Sequence, residues 1–151
     1  MPRLASVKDK SAKPQIGLYS SGQTAIKTAG QFEFDLLSFR DPAGQKQFSN
    51  LNGTHPEVRE WMKLDRRIPF IIEDCLLLAD DLIKPKQNDA AVARGVSTWL
   101  SFGFRDQHGK WAAPAVAELV ADALDKAGYL IVVWHAQLPQ DKIWTPTSLI
   151  H

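Results

Sequence analysis

Residues 98–135 constrain the fold more than any other part of this chain. They read "TWLSFGF", then the polar loop "RDQHGKW", then a helical pattern over 112–127, then "YLIVVWH". The last run is apolar at successive positions, so a strand formed from it buries both faces, which is the habit of parallel sheets. Two such strands joined through a helix form a strand–helix–strand unit with a right-handed crossover. The expected class is therefore α/β, a three-layer sandwich with a mixed, mostly parallel sheet.

Upstream, "QIGLYS" (15–20) and "FEFDLLSF" (32–39) read as further strands. In the second, Phe32, Phe34, Leu36 and Ser38 share one face, and Glu33, Asp35, Leu37 and Phe39 share the other. Asp35 then stands mid-strand among apolar residues, where a carboxylate needs a partner. "THPEVREWMK" carries a capping box, with Thr54 as the cap, Glu57 three residues on and Pro56 in the first turn. A second helix is expected over about 69–83, with Ile72, Cys75, Leu76 and Ile83 inward and Glu73, Asp74, Asp80 and Asp81 in water. A helical turn capped by Asp89 and ended by Gly95 is expected in "DAAVARG".

The 151 residues fit one domain with a core of its own. The expected division is a flexible basic arm over 1–14, a single α/β domain over 15–138 and a tail over 139–151. A net charge of +1 gives no strong field for nucleic acid or a membrane surface. No run of 18 apolar residues is present, so no membrane partner is expected, and with no signal peptide the expected location is the cytoplasm. The lone Cys75 reads as a small buried hydrophobe in a reducing compartment. His55, His108, His135 and His151 form no zinc spacing, so neither a metal nor another cofactor is expected.

The loop 105–111 sits where open α/β sheets bind ligands, beyond the carboxyl end of a strand and at the start of a helix. A helix N-terminus offers free N–H groups and a positive dipole end, which suit phosphate or carboxylate. No Ser, Thr, Asp or Asn stands immediately before Ala112 to cap those donors. Arg105, His108 and Lys110 add charge or hydrogen bonds, Gly109 admits close approach, and Trp111 offers a stacking face. His135 ends the last strand at the same sheet edge if the two strands are parallel. Pro114 removes one donor, and the loop lacks a phosphate-binding signature. The tail holds Trp144, Leu149 and Ile150, which pack on their own domain or on a neighbouring subunit.

In their order, "LYSSGQ", "FDLLSFRDP", "LNGTHPEV", "WLSFGF", "AVAELVADAL" and "VVWHAQL" resemble the C-terminal domain of the RNase adaptor protein RapZ, over roughly residues 15–138. That domain also occurs alone in small bacterial and phage proteins. The matching positions include Phe34, Asp35, Pro42, Leu51, Gly53, Val58, Gly109, Ala117, Glu118 and His135. The resemblance implies a regulatory binding domain that recognises RNA and a sugar phosphate and assembles into oligomers. Ser21 and Gly22, at the family's first strand end, then join Asp35, Arg105, His108, Gly109, Lys110, Trp111 and His135 as candidate ligand-binding residues. Three cationic positions of the family are apolar here: Leu37, Ala112 and Ala136. The family's loop histidine falls on Trp111.

Three functions follow as expectations. The first is a non-catalytic ligand- or partner-binding domain with a retuned pocket for an anionic or nucleotide-like ligand. The second is an interaction or oligomerisation protein whose pocket is vestigial. The third, ranked last, is a phosphoryl- or nucleotide-processing enzyme using His108 or His135, with Asp35 as orienter. RNA binding is a variant of the first, and the near-neutral charge counts against it.

Overall fold

The computed structural model describes residues 3–4, 14–23, 30–39, 42–83 and 99–139. The expected helical turn over 89–95 and residues 140–151 of the tail lie outside this range. The elements are β1 (Arg3–Leu4), β2 (Ile16–Gly22), β3 (Phe32–Asp35), α1 (Pro56–Met62), α2 (Ile68–Leu82), β4 (Leu100–Asp106), α3 (Ala112–Lys126) and β5 (Ile131–His135). Two short 3-10 turns, Pro42–Gly44 and Lys46–Phe48, precede α1.

The sheet runs in the order β1-β5-β2-β4-β3. β2, β3, β4 and β5 are mutually parallel, and β1 pairs antiparallel with β5. The sheet is thus mixed and mostly parallel, and β4–α3–β5 is the expected strand–helix–strand unit. Two residues of the N-terminal arm are strand: Arg3 and Leu4 pair with Val133 and Val132 and occupy the outer edge of β5. An edge strand presents unpaired N–H and C=O groups, and even a two-residue partner covers part of them.

The α3 helix is the centre of the molecule. It packs on β2, β4 and β5, and α1 and α2 pack on it in turn. Eleven of its fifteen residues are buried, as expected of a helix covered on several sides. Its alanines allow the close approach to the sheet that bulkier side chains would prevent. The helix ends at Lys126, and Gly128, with φ of 97°, closes the turn that returns the Tyr129 N–H to the Leu124 carbonyl at 3.1 Å. Ile16, Leu18, Phe102, Phe104, Ile131 and Val133 meet α3 from the sheet, and Val58, Met62, Ile68 and Cys75 close the core from α1 and α2.

Several local expectations shift. The strand at 32–39 stops at Asp35, and 36–39 form turns, with Phe39 N–H returning to the Leu36 carbonyl at 3.0 Å. Asp35 is therefore exposed at a strand end, where it accepts the Leu37 N–H at 2.9 Å. The α1 cap is His55, not Thr54: its Nδ1 accepts the Glu57 N–H at 3.2 Å. Thr54 is instead drawn into a turn, donating N–H and O–H to Asn52 Oδ1 at 2.9 and 2.6 Å. On α2 the buried stripe is Ile68, Ile71, Cys75 and Ala79, which leaves Ile72 and Leu76 half-buried. No helix among the described residues is long and apolar enough to cross a membrane.

Candidate functional site at the carboxyl edge of the sheet

The parallel register sets which candidates can meet. Ser21 of β2, Arg105 of β4 and Asp35 of β3 stand in one row across the sheet. Ser20 and His135 stand in the neighbouring row position, one residue out of phase. Because side chains alternate across a strand, the first three lie on one face of the sheet and His135 on the other, beneath α3. The candidates thus divide into two groups.

On the α3 face, His135 is buried at 2 % exposure. Its Nδ1 lies 2.6 Å from Ser20 Oγ. Its Nε2 makes no hydrogen bond and stands 3.8 Å from Glu118 Oε2. Ser20 and Glu118 are both fully buried. This serine–histidine–glutamate set has the residue types of a nucleophile, base and orienter. All three side chains are buried, and the arrangement ties β2, β5 and α3 together through polar groups inside the core.

On the opposite face, Arg105 directs its guanidinium to backbone: Nε donates to the Gly22 carbonyl at 3.3 Å and Nη2 to the Gln23 carbonyl at 2.5 Å. Gly22 N–H donates to Gln137 Oε1 at 3.1 Å. The side chain expected to meet a ligand therefore fastens the end of β2.

The loop closes on Asp106, the last residue of β4, which is 7 % exposed. One carboxylate oxygen accepts the Gly109 N–H in a very short bond, and the other accepts the Ala113 N–H at 2.8 Å. Ala113 is the second residue of α3, so the helix N-terminus carries an anion that the chain itself supplies, from seven residues upstream. Gly109 makes this turn with φ of 73°, a conformation that favours glycine, and a Cβ there would stand 2.6 Å from the Gly22 nitrogen. From the other side Gly53 donates its N–H to the Lys110 carbonyl at 2.7 Å. A Cβ on Gly53 would fall 1.9 Å from the Trp111 carbonyl oxygen, so backbone covers the helix start.

His108 and Lys110 are exposed, and Trp111 is half-buried. The Trp111 indole N–H donates to the Phe48 carbonyl at 3.2 Å, and His108 meets the ring edge-on at a centroid distance of 5.8 Å. Leu36, Phe39, Asp106, His108 and Trp111 line a cleft beside the loop, whose volume is about 30 Å³. That holds a water or two, whereas small-molecule sites run to roughly 300–1,000 Å³.

Asp106, Ser20 and Glu118 are not among the candidate ligand-binding residues of the sequence, although Glu118 is a matching position of the family resemblance. Asp106 had a readable signal: an acidic residue three positions before a glycine, in a loop that opens a helix with no adjacent cap. Glu118 is a lone carboxylate in the alanine-rich centre of a helix, itself a sign of a buried charge awaiting a partner. Ser20 shows no such sign in the chain. Among the described residues, no three His, Cys, Asp or Glu side chains converge as a metal site requires. No family model matches the chain, and no curated protein matches it.

Proposed function

We propose that this chain is a non-enzymatic interaction domain whose strand-to-helix loop is structural and which acts through its outer surfaces. The observation that carries this reading is the Asp106 carboxylate, which takes the position at the start of α3 that a bound phosphate or carboxylate takes in ligand-binding α/β proteins. The small cleft, the guanidinium of Arg105 held on backbone and the burial of His135 support it further. So do the apolar side chains left in water, among them Leu64 and Phe70 at 66 and 67 % exposure.

The test is thermal unfolding against nucleotides, cyclic oligonucleotides and sugar phosphates, paired with sedimentation velocity over a range of protein concentration. A ligand at 100 times its dissociation constant adds roughly 2.7 kcal/mol of stability. The expected result is no shift with any of them. A shift that disappears in Arg105→Ala/Lys110→Ala overturns the proposal.

The ligand-binding reading, to which the RapZ-like resemblance belongs, is favoured by one observation. His108 and Trp111 border the cleft beside Asp106, with Lys110 exposed next to them. A small anion held by His108 and Lys110 is its natural ligand, and the same Arg105→Ala/Lys110→Ala variant separates the two readings.

A further inference from the structure

A much larger groove than the cleft at the sheet edge lies away from the loop, between α2 and β3. Its volume is about 540 Å³, within the range of binding sites and far above that of the cleft at the sheet edge. Phe32 and Phe34 of β3 and Leu77 and Leu78 of α2 form its apolar floor. Phe34 is fixed by stacking on Phe104 at a centroid distance of 5.4 Å, and Phe32 leans on Phe102 at 6.0 Å, so this wall is anchored to the core. Leu77 remains 53 % exposed and Phe32 36 %.

Two further features bear on the occupant. First, β3 is the last strand of the sheet, and among the described residues no strand pairs with its outer side. An edge strand facing a helix across a groove is the setting in which an extended peptide adds to a sheet, its main chain on the strand and alternate side chains against the helix. Second, among the described residues every charged side chain that lines the groove is acidic: Glu33, Asp74 and Asp81. Asp74 and Asp81 are exposed at either end of two turns of α2, with Leu77 between them.

We infer that this groove binds an extended cationic peptide segment of a partner protein, with the pattern basic–x–apolar–x–basic. The inference rests on the interaction reading above. Asp74 and Asp81 are seven residues apart on α2, a rise of about 10.5 Å. Strand residues i and i+4 are about 13 Å apart and point the same way, with i+2 between them. Two lysine or arginine stems span the difference, and the residue between them meets Leu77.

The experiment is an amide NMR titration of the full chain with a synthetic peptide whose core is Lys-Thr-Leu-Thr-Lys, alongside a control with both lysines replaced by glutamate. The expected result is shifts concentrated at Phe32, Phe34, Leu77 and Asp81 with the lysine peptide alone. Asp74→Lys/Asp81→Lys and Leu77→Asp are each expected to weaken binding at least tenfold. All three positions are exposed, so folding is retained, and the melting temperature of each variant checks this. Absence of shifts in the groove, equal binding of both peptides, or unchanged binding in both variants overturns the inference. Self-association abolished by Leu77→Asp also overturns it, in favour of a second copy of this chain. A flat response to the anion panel together with peptide failure removes the groove and leaves the interaction reading standing. A response to the anion panel removes that reading itself.

Discussion

At Asp106 two backbone N–H groups converge on one buried carboxylate, Gly109 from the loop and Ala113 from the first turn of α3. Hydrogen bonds to a charged group contribute about 1.5–3 kcal/mol each, and a lost helix cap alone costs about 1 kcal/mol. Asp106→Ala is therefore expected to lower unfolding stability by about 3 kcal/mol in urea titrations, and Asp106→Asn by less. Added formate is expected to restore part of the loss in Asp106→Ala and none in the parent protein, because only the variant leaves the donors open. Tyr129 makes the second residue-scale prediction. Burial first, and the Asp80 carboxylate accepting its hydroxyl at 2.5 Å second, hold this phenol above its ordinary value near 10. The folded state thus favours the protonated form. Its contribution is full below pH 10 and is lost as pH rises beyond that value. Tyr129→Phe is expected to cost about 1 kcal/mol at pH 7, with the gap from the parent narrowing above pH 10 in denaturation curves taken at stepped pH.

At the scale of elements, the 51–55 segment lies close against the start of α3. Gly53 has no room for a side chain, because the atoms a Cβ would meet are backbone: the Trp111 carbonyl oxygen at 1.9 Å and the Ala115 nitrogen at 2.6 Å. Gly53→Ala must separate the segment from the helix, break the bond from its N–H to the Lys110 carbonyl and shift His55, the cap of α1. A loss of 2 kcal/mol or more, the upper part of the overpacking range, is expected in urea denaturation. Gly44, which meets nothing within 4 Å, is the matched control and is expected to tolerate alanine within about 0.5 kcal/mol. The elements themselves were largely legible along the chain. The helix expected over 112–127 is Ala112–Lys126, the one expected over 69–83 is Ile68–Leu82, and the strand in "YLIVVWH" is Ile131–His135. The differences lie at element ends. Leu36 and Leu37 extend the apolar pattern of the strand expected over 32–39 past Asp35, where the ladder stops. The α1 cap falls on His55 rather than Thr54 because both carry an acceptor, and only the Asn52 turn decides between them.

For the whole molecule, the packing of α3 between the sheet and α1–α2 makes one cooperative core, and Cys75 reports on it. It is fully buried, and burial, with Asp74 nearby, pushes its thiol well above the ordinary value. Labelling by a thiol reagent is expected to proceed only through opening, so its rate should follow global stability across denaturant. Fast labelling in native buffer would show a local route to α2 that the packing does not contain.

Periodicity carried the class of the fold and the strand–helix–strand unit, because a strand's alternation and a helix's repeat are properties of neighbouring residues and survive in one dimension. The candidate site was not local in that sense. Loop 105–111 was placed at the correct edge, yet its partners depended on strand parity, which puts Asp35 and Arg105 on one face and His135 on the other. They depended also on a carboxylate reaching seven residues forward to the start of α3, and on Gly53 arriving from a separate segment. Contacts of this kind are set when sheet register and helix packing bring distant backbone together, and no repeat along the chain encodes them.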